Sequence, residues 1–274
     1  RHLAGRERDH RKPTVPLMSA THHWRRPEPI RRTIERMAQT GVEGLEVAGE
    51  LERFTSAEVR GLLKEHGRRC WGAVALTLGE RNLAARDAGQ RERTVDYIRR
   101  VATFAKECGG EILTLVPATV GKLVADATPA EEWRWVVEGV TEIHAHARRE
   151  GIRIAIEPIN RFETYLINRV DQALALADAV APDCGVCLDL FHMNIEEADL
   201  HAAIRLARGR IHDVHVADNN RFAPGQGLLD FSAIVRTIRA AGYTGALTLE
   251  FAATIDRTPA NAWGAQVETE PSGA

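Results

Sequence analysis

Eight short apolar runs, each followed by a longer segment of helical periodicity, constrain this 274-residue sequence more than any other feature. The runs cover residues 15–20, 44–48, 70–76, 111–116, 153–157, 185–189, 211–216 and 246–251. The later ones, such as Ile154-Ala155-Ile156, are continuously apolar, as expected of strands that are covered on both faces. This alternation predicts an α/β fold built on a parallel sheet.

Two architectures fit such an alternation, an open doubly wound sheet and a closed (β/α)8 TIM barrel. The repeat count favours the barrel, which commonly forms one domain of roughly 250 residues. No Gly-x-Gly-x-x-Gly turn follows the first run, so a dinucleotide site has no support. We therefore predict one TIM-barrel domain over residues 15–252, preceded by an exposed arm (1–14) and followed by a surface tail (253–274).

Capping residues mark where the helices begin and end. Thr128-Pro129-Ala130-Glu131 combines an N-cap, a proline in the first turn and a capping-box glutamate, and Thr55 to Glu58 repeats the capping pattern. Asp230 is expected to cap the segment that begins at Phe231. Glycines in left-handed conformation are expected to close the helices before the next strand. These are Gly41, Gly67, Gly109, Gly151, Gly209 and Gly242.

Charge and hydropathy exclude several classes of function. The net charge is −2 with 27% charged residues, whereas nucleic-acid binding proteins usually carry a concentrated basic face. The apolar runs are too short for a membrane span, and none near the start resembles a signal sequence. We expect a soluble cytoplasmic protein that binds neither nucleic acid nor membranes. A homo-oligomer is compatible with these features.

Four cysteines are too few in a chain of this length to indicate a disulfide framework. Cys184-Gly-Val-Cys187 has the spacing of a redox or zinc motif, but it enters an apolar strand. Residues three apart in a strand point to opposite faces, so we interpret both thiols as packing residues.

Polar residues stand at the ends of the last four runs, where a TIM barrel keeps its active site. They are Glu157, Asp189, His215 and Glu250, each about one strand-helix unit from the next. Three carboxylates and one imidazole at one mouth would need a cation among them. Oxygen-rich ligation favours one divalent metal ion, Mn²⁺ first, with Mg²⁺ or Co²⁺ compatible. The alternative is that these acids cap helices or pair with arginines.

Motifs around these positions are similar to those of a known family. They read Glu157-Pro-Ile-Asn-Arg-Phe-Glu163, Leu188-Asp-Leu-Phe-His-Met-Asn-Ile-Glu-Glu197, Val214-His-Val-Ala-Asp-Asn-Asn-Arg221, Pro224-Gly-Gln-Gly227, Gly242-Tyr-Thr-Gly245 and Leu249-Glu-Phe251. In this order they resemble the sugar-phosphate isomerase/epimerase family, which has a xylose-isomerase-like TIM barrel and includes ketose 3-epimerases. The resemblance is good from about Gly41 onward.

The resemblance implies that Glu157, Asp189, His215 and Glu250 are the metal ligands, and that Glu157 and Glu250 also form the acid/base pair. A hydrogen next to a carbonyl is far less acidic than a carboxylic acid, so proton transfer needs help. A metal bound to the substrate oxygens would stabilise the enediolate. One glutamate on each face would then allow epimerisation or aldose–ketose isomerisation of a carbohydrate.

Substrate contacts are implied in the same way for His192, Arg221 and Glu163, against the alternative of solvated surface residues. Lys122, beyond the fourth run, is a candidate for an anionic substituent such as phosphate, with a solvated lysine as the alternative. His22-His23-Trp24 could line the same mouth, where an aromatic ring would stack on a sugar, or could simply pack in a loop.

Other functions on the same barrel remain open. The fourth run ends Thr114-Leu-Val-Pro117, where free-ketose epimerases place an aromatic wall, so a lyase or dehydratase acting on a keto-sugar, keto-inositol or 3-keto-glycoside is the main alternative. A DNA-repair nuclease resembling endonuclease IV would need further histidines and a basic face, which the sequence lacks. A non-catalytic binding barrel would be expected to have lost ligands, yet all four are present.

Overall fold

The computed structural model describes residues 15–21 and 29–252. Eight strands pair in parallel in chain order, and β1 also pairs with β8, so the sheet closes into a TIM barrel. The strands are β1 (Leu17–Ala20), β2 (Gly44–Ala48), β3 (Arg69–Ala75), β4 (Ile112–Leu115), β5 (Arg153–Ile156), β6 (Gly185–Asp189), β7 (Ile211–Val216) and β8 (Leu247–Leu249). The predicted closed barrel is confirmed, and each strand matches its predicted run within three residues at either end.

Helices connect the strands on the outside of the barrel. They are α1 (Ile30–Ala38), α2 (Ser56–Glu65), α3 (Ala88–Cys108), α4 (Pro129–Glu150), α5 (Val170–Val180), α6 (Leu190–Glu196), α7 (Leu200–Leu206) and α8 (Phe231–Ala240). Two short helices, α6 and α7, share the connection between β6 and β7. Within the described ranges, no helix combines the length and apolar character needed to cross a membrane.

The predicted arm (1–14), the tail (253–274) and the segment His22-His23-Trp24 lie outside the described residues. Their placement and the domain bounds 15–252 therefore stay predictions.

The predicted helix starts are confirmed. The hydroxyl of Thr128 accepts the N–H of Glu131, and the Glu131 carboxylate accepts the N–H of Thr128, which completes the capping box of α4. Asp230 accepts the N–H of Ala233 at the start of α8. Thr55 likewise accepts the N–H of Glu58.

Five of the six predicted left-handed glycines have positive φ, including Gly151 at +77°. Gly41 does not, and that prediction was wrong. The reason is that α1 has already ended at Gln39, whose φ is −79°. The hydroxyl of Thr40 donates to the carbonyl of Met37 at 2.7 Å, so this helix end needs no left-handed residue to satisfy it.

Two apolar layers hold the barrel. The larger lies between the strands and the helices and contains Cys184. The smaller fills the barrel axis with Met18, Trp71, Ile112, Ala155, Cys187 and Ala246. Cys184 directly precedes β6 and Cys187 lies in it, and the two side chains pack on opposite faces of the sheet. Both are free thiols. The prediction that they pack is confirmed, and polar residues occupy the barrel interior nearer the carboxyl ends of the strands.

Candidate active site

Four acidic and histidine side chains meet at the carboxyl end of the barrel. Glu157 follows β5, Asp189 is the last residue of β6, His215 lies in β7 and Glu250 follows β8. All four are buried, and each offers a ligand atom within 4.8 Å of the others. The structure therefore brings together the four residues that the sequence analysis placed at one mouth.

One ring nitrogen of His215 lies close to both glutamates. Its Nδ1 is 3.3 Å from Oε1 of Glu157 and 3.0 Å from Oε2 of Glu250. This nitrogen is buried and makes no hydrogen bond. Because buried polar atoms are rarely left without a partner, an unbonded imidazole nitrogen aimed at two carboxylates is the geometry expected of a metal ligand.

The Asp189 carboxylate has a different role for each oxygen. Oδ1 accepts the N–H groups of Phe191 at 2.8 Å and His192 at 3.2 Å, which caps α6. Oδ2 takes no part in the cap and accepts Nη1–H of Arg221 at 2.7 Å. The capping bonds thus fix the carboxylate through Oδ1 and leave Oδ2 outside the cap.

Charge and burial make a cation favourable here. Burial raises the pKa of Glu157, and the nearby carboxylates of Glu250 and Asp189 raise it further, against the lowering effect of His215. Burial alone would lower the pKa of His215, but the surrounding acids raise it well above its usual value. Three carboxylate oxygens and one imidazole suit Mn²⁺, Mg²⁺ or Co²⁺, so the residues present fit a divalent metal ion.

Arg221 covers the cluster from the β7–α8 loop. Its Nη1 lies 2.7 Å from Oδ2 of Asp189 and its Nη2 2.9 Å from Oε2 of Glu250. The guanidinium also stacks at 4.7 Å over the ring of Phe191. Arg221 has a φ of +64°, the one non-glycine residue with positive φ among those described. Such a conformation is costly and is usually kept where function requires it.

One buried carboxylate organises the loop that carries Arg221. Asp218 accepts backbone N–H groups from Asn219, Gly225, Gly227 and Leu229 at 2.9–3.2 Å. The Arg221 N–H in turn donates to the carbonyl of Asp218. The loop therefore folds around a single side chain, which the sequence analysis did not single out.

His192 and Glu163 approach the same cavity and are linked by Asn160. Nδ2 of Asn160 lies 2.7 Å from Nδ1 of His192 and donates to Oε1 of Glu163 at 2.9 Å. His192 is buried, with 3% of its surface exposed, so it is not the solvated surface residue that was the alternative. Glu163 is half-buried.

Lys122 is not brought together with these residues. Its ammonium pairs with Asp126 at 2.7 Å on the β4–α4 loop, and it does not line the cavity. The Lys122 side chain is half-buried in this ion pair, and its contact with an anionic substituent stays a prediction.

The cavity above the cluster has a volume of about 210 Å³. Its polar lining includes two residues of the cluster, Glu157 and Glu250. The other polar lining residues are Thr21, Glu50, Arg53, Thr77, Glu163, His192 and Arg221. Its other wall is aliphatic and consists of Val74, Ala75, Leu76, Leu78, Val116, Val120 and Ile159. In the part of the chain that the structure describes, no Phe, Tyr or Trp lines it. This agrees with the absence of an aromatic residue at the end of the fourth run.

A second group of acids, which the sequence analysis missed, lies beneath His215. Glu46 in β2 and Asp213 in β7 are both fully buried. Two features of the sequence could have indicated them. Glu46 is an isolated acid in an otherwise apolar strand. Asp213 lies two residues before His215, and alternation along a strand places both on the same side of β7.

Fold and site together define a TIM barrel with a candidate metal centre of three carboxylates and one histidine. The model of the xylose isomerase-like TIM barrel family matches residues 34–269. The chain belongs to this family.

Curated relatives in this family are sugar epimerases. L-ribulose 3-epimerase of Mesorhizobium japonicum is 31% identical over 65% of this chain and 61% of its own length. D-psicose 3-epimerase of Agrobacterium fabrum is 30% identical over 79% of this chain and 77% of its own length. Among solved structures, the apo 3-keto-D-glucoside 4-epimerase YcjR of E. coli has a TM-score of 0.80 at 25% identity, and covers 91% of this chain and 96% of its own.

Proposed function

We propose that the protein is a divalent-metal-dependent sugar epimerase or isomerase that moves a proton on a carbon next to a carbonyl. The observation that carries this proposal is that Glu157 and Glu250 line one cavity and both lie close to Nδ1 of His215, at 3.3 and 3.0 Å. Two carboxylates that line one cavity can act as an acid/base pair, one removing a proton from a carbon and the other returning it to the opposite face.

The chain supplies most of the chemistry that such a reaction needs. Glu157 and Glu250 hold and deliver the proton. His192 and Arg221 orient the substrate oxygens, because both reach the cavity beside the acids. The aliphatic wall excludes water around the reacting carbon. A divalent ion held by Glu157, Asp189, His215 and Glu250 would act as a Lewis acid toward the carbonyl oxygen. We favour Mn²⁺ on the donor set.

The relatives support a keto-sugar as substrate. Their names cover 3-epimerases of free ketoses and, in E. coli, a 3-dehydro-D-guloside 4-epimerase that is 28% identical over 82% of this chain and 87% of its own length. Val116 lines the cavity at the end of β4, where free-ketose epimerases place an aromatic residue, and this favours the glycoside type over a small free ketose. Elimination on a 3-keto-glycoside begins with the same proton abstraction, so a lyase is the second candidate function.

The test is to strip the metal with a chelator and re-add Mn²⁺, Mg²⁺ or Co²⁺ in turn. Turnover of a ketose panel and of 3-keto-glycosides is then followed by NMR in D₂O. We expect activity to vanish on chelation and return with metal, and deuterium to enter at the inverted carbon. Activity that survives chelation would reject the mechanism, and loss of the aglycone would identify the lyase.

Variants locate the two proton-transfer groups. Glu157→Gln and Glu250→Gln are each expected to abolish inversion, and a variant that keeps its metal should still exchange deuterium on the face served by the remaining glutamate. Glu138→Gln, on the exposed face of α4, is the matched control and should behave like wild type. Nicking of abasic-site DNA tests the nuclease alternative, for which we expect no activity.

A further inference from the structure

The two ring nitrogens of His215 face two different acidic groups. Nδ1 faces Glu157 and Glu250, as described above. Nε2 faces the opposite way, 2.9 Å from Oε2 of Glu46 and 3.3 Å from Oδ2 of Asp213. His215, Glu46 and Asp213 are all 0% exposed. Both groups of acids have the residue types of a metal site. The hydrogen bonds of the two ring nitrogens show which group is suited to hold the ion.

Nε2 is hydrogen-bonded to Glu46, whereas Nδ1 makes no hydrogen bond. A neutral imidazole has one N–H donor and one lone pair. With the N–H on Nε2 and held by a carboxylate, the lone pair of Nδ1 points at Glu157 and Glu250.

Asp213 is itself held rigidly by neighbouring strands. Its Oδ1 accepts Nε1–H of Trp71 at 2.9 Å and the N–H of Val214 at 2.9 Å, and its Oδ2 accepts the hydroxyl of Thr114 at 2.8 Å. Trp71 lies in β3, Thr114 in β4 and Asp213 in β7, so the barrel closes around this carboxylate. An acid whose oxygens are already bonded in this way makes a fixed support and a poor metal ligand.

We propose that Glu46 and Asp213 are positioning residues for His215: they hold Nε2–H so that Nδ1 faces the metal site. The inference rests on the proposed function, since it gives the metal site its histidine ligand. Carboxylates that accept the second N–H of a metal-bound histidine typically contribute 10- to 100-fold to metal affinity. Glu46 lies in β2, which carries none of the four proposed metal ligands. Through Glu46 this strand also supports the metal site.

The test measures Mn²⁺ binding by calorimetry for wild type, Glu46→Gln, Glu46→Leu and Asp213→Asn. Glutamine keeps an acceptor for Nε2–H, and leucine does not. We expect Glu46→Leu to weaken Mn²⁺ binding by about 10- to 100-fold, with glutamine recovering most of the loss. Glu132→Gln is the matched control, because Glu132 is also a buried acid, 1% exposed, but lies in α4. It should leave the Kd for Mn²⁺ unchanged even if it lowers stability.

A spectroscopic readout separates positioning from simple support of the fold. In the Mg²⁺-loaded protein labelled with ¹⁵N-histidine, the His215 signals should report an Nε2–H tautomer in wild type and Glu46→Gln. Wild-type Mn²⁺ affinity in Glu46→Leu, an Nδ1–H tautomer in wild type, or two Mn²⁺ ions per chain would each overturn the inference. One Mn²⁺ ion per chain, weakened by Glu46→Leu but without turnover of any sugar, would reject the proposed function alone. No Mn²⁺ binding by wild type would reject both.

Discussion

Nδ2 of Asn160 lies 2.7 Å from Nδ1 of His192. With Nδ1 held in this way, the other ring nitrogen, Nε2, is directed toward Asp189, from which it is 3.8 Å away. Since His192 also lines the cavity, Asn160 fixes the orientation of a ring that we propose contacts the substrate.

Asn160→Ala is expected to raise KM more than it lowers kcat, because it removes the shorter of two bonds to Nδ1 of His192 without touching the proton-transfer groups. The backbone N–H of residue 160, at 3.3 Å from Nδ1, remains. Loss of one neutral hydrogen bond costs about 0.5–1.5 kcal/mol, which corresponds to roughly a two- to tenfold fall in kcat/KM. Steady-state kinetics measure this. Asn168→Ala is the control, since Asn168 supports the same loop through the carbonyls of Ile159 and Thr164. Equal losses in both variants would point to loop order instead.

Arg221→Lys is expected to lower kcat/KM by roughly 10- to 100-fold, because a lysine cannot bridge Asp189 and Glu250 with two parallel donors. Lysine has the same backbone cost at a φ of +64°, so the change isolates the guanidinium. The measurement is kcat/KM on the identified sugar together with Mn²⁺ affinity, which should not fall. Arg236→Lys, on the exposed face of α8, should be silent. A fully active Arg221→Lys enzyme would show that the guanidinium does not orient the substrate.

Gly227→Ala is expected to destabilise the protein by about 1–3 kcal/mol and to lower activity through Arg221. A Cβ at this position would lie 2.2 Å from Oδ1 of both Asp218 and Asn219, so the loop must shift. Denaturant unfolding and kinetics measure the two effects. Gly61→Ala in α2 has open space around the new Cβ. It should stabilise the protein by about 0.8–1 kcal/mol. Similar unfolding curves for both variants would contradict the argument.

The stability that Asp218 contributes should depend on pH. Burial by itself raises the pKa of Asp218, but the backbone N–H donors of the loop outweigh this and lower it. A pKa lowered by folding means that the ionised carboxylate stabilises the folded state at pH values above the usual pKa of about 3.9. The contribution is lost as the pH falls through the lowered value. Wild type should therefore be more stable than Asp218→Asn at pH 7, and the two curves should converge in acid. A pH-independent difference would argue against the ionised form.

Metal binding should stabilise the folded protein. Free Mn²⁺ at about 100 times its Kd is expected to add about 2.7 kcal/mol to the free energy of unfolding. Thermal unfolding with and without Mn²⁺ measures this. Asp189→Asn serves as the control, because it removes one proposed ligand charge and should abolish most of the shift. An equal shift in the variant would place the ion elsewhere.

The order of strands and helices could be predicted from the sequence because its signals are local. Continuous apolar runs such as Ile154-Ala155-Ile156 and capping residues such as Thr128 act within a few residues of themselves. The left-handed conformation predicted for Gly41 was wrong, because a glycine before a strand does not show where the preceding helix ends. Closure of the barrel followed from the repeat count.

The resemblance of the motifs implied the roles proposed for Glu157, Asp189, His215 and Glu250, and their positions at strand ends predicted that they would meet. Lys122 is a basic residue on a loop at the carboxyl end of the barrel, which made it a candidate for an anionic substituent. In the structure its ammonium pairs with Asp126 on the same loop. A charged residue on a loop can point several ways, and the sequence pattern does not choose among them.

The sequence by itself determined the alternation of eight strands with helices and the acidic and histidine residues at the barrel mouth, because periodicity and residue type are local properties of the chain. Only the tertiary structure decided that Glu46, Asp213 and Trp71 gather beneath His215, and that Asp218 holds the loop of Arg221 in place. These partners are up to 169 residues apart in the sequence. Their contacts depend on strand register and on the closure of the sheet, which bring distant side chains to one level of the barrel.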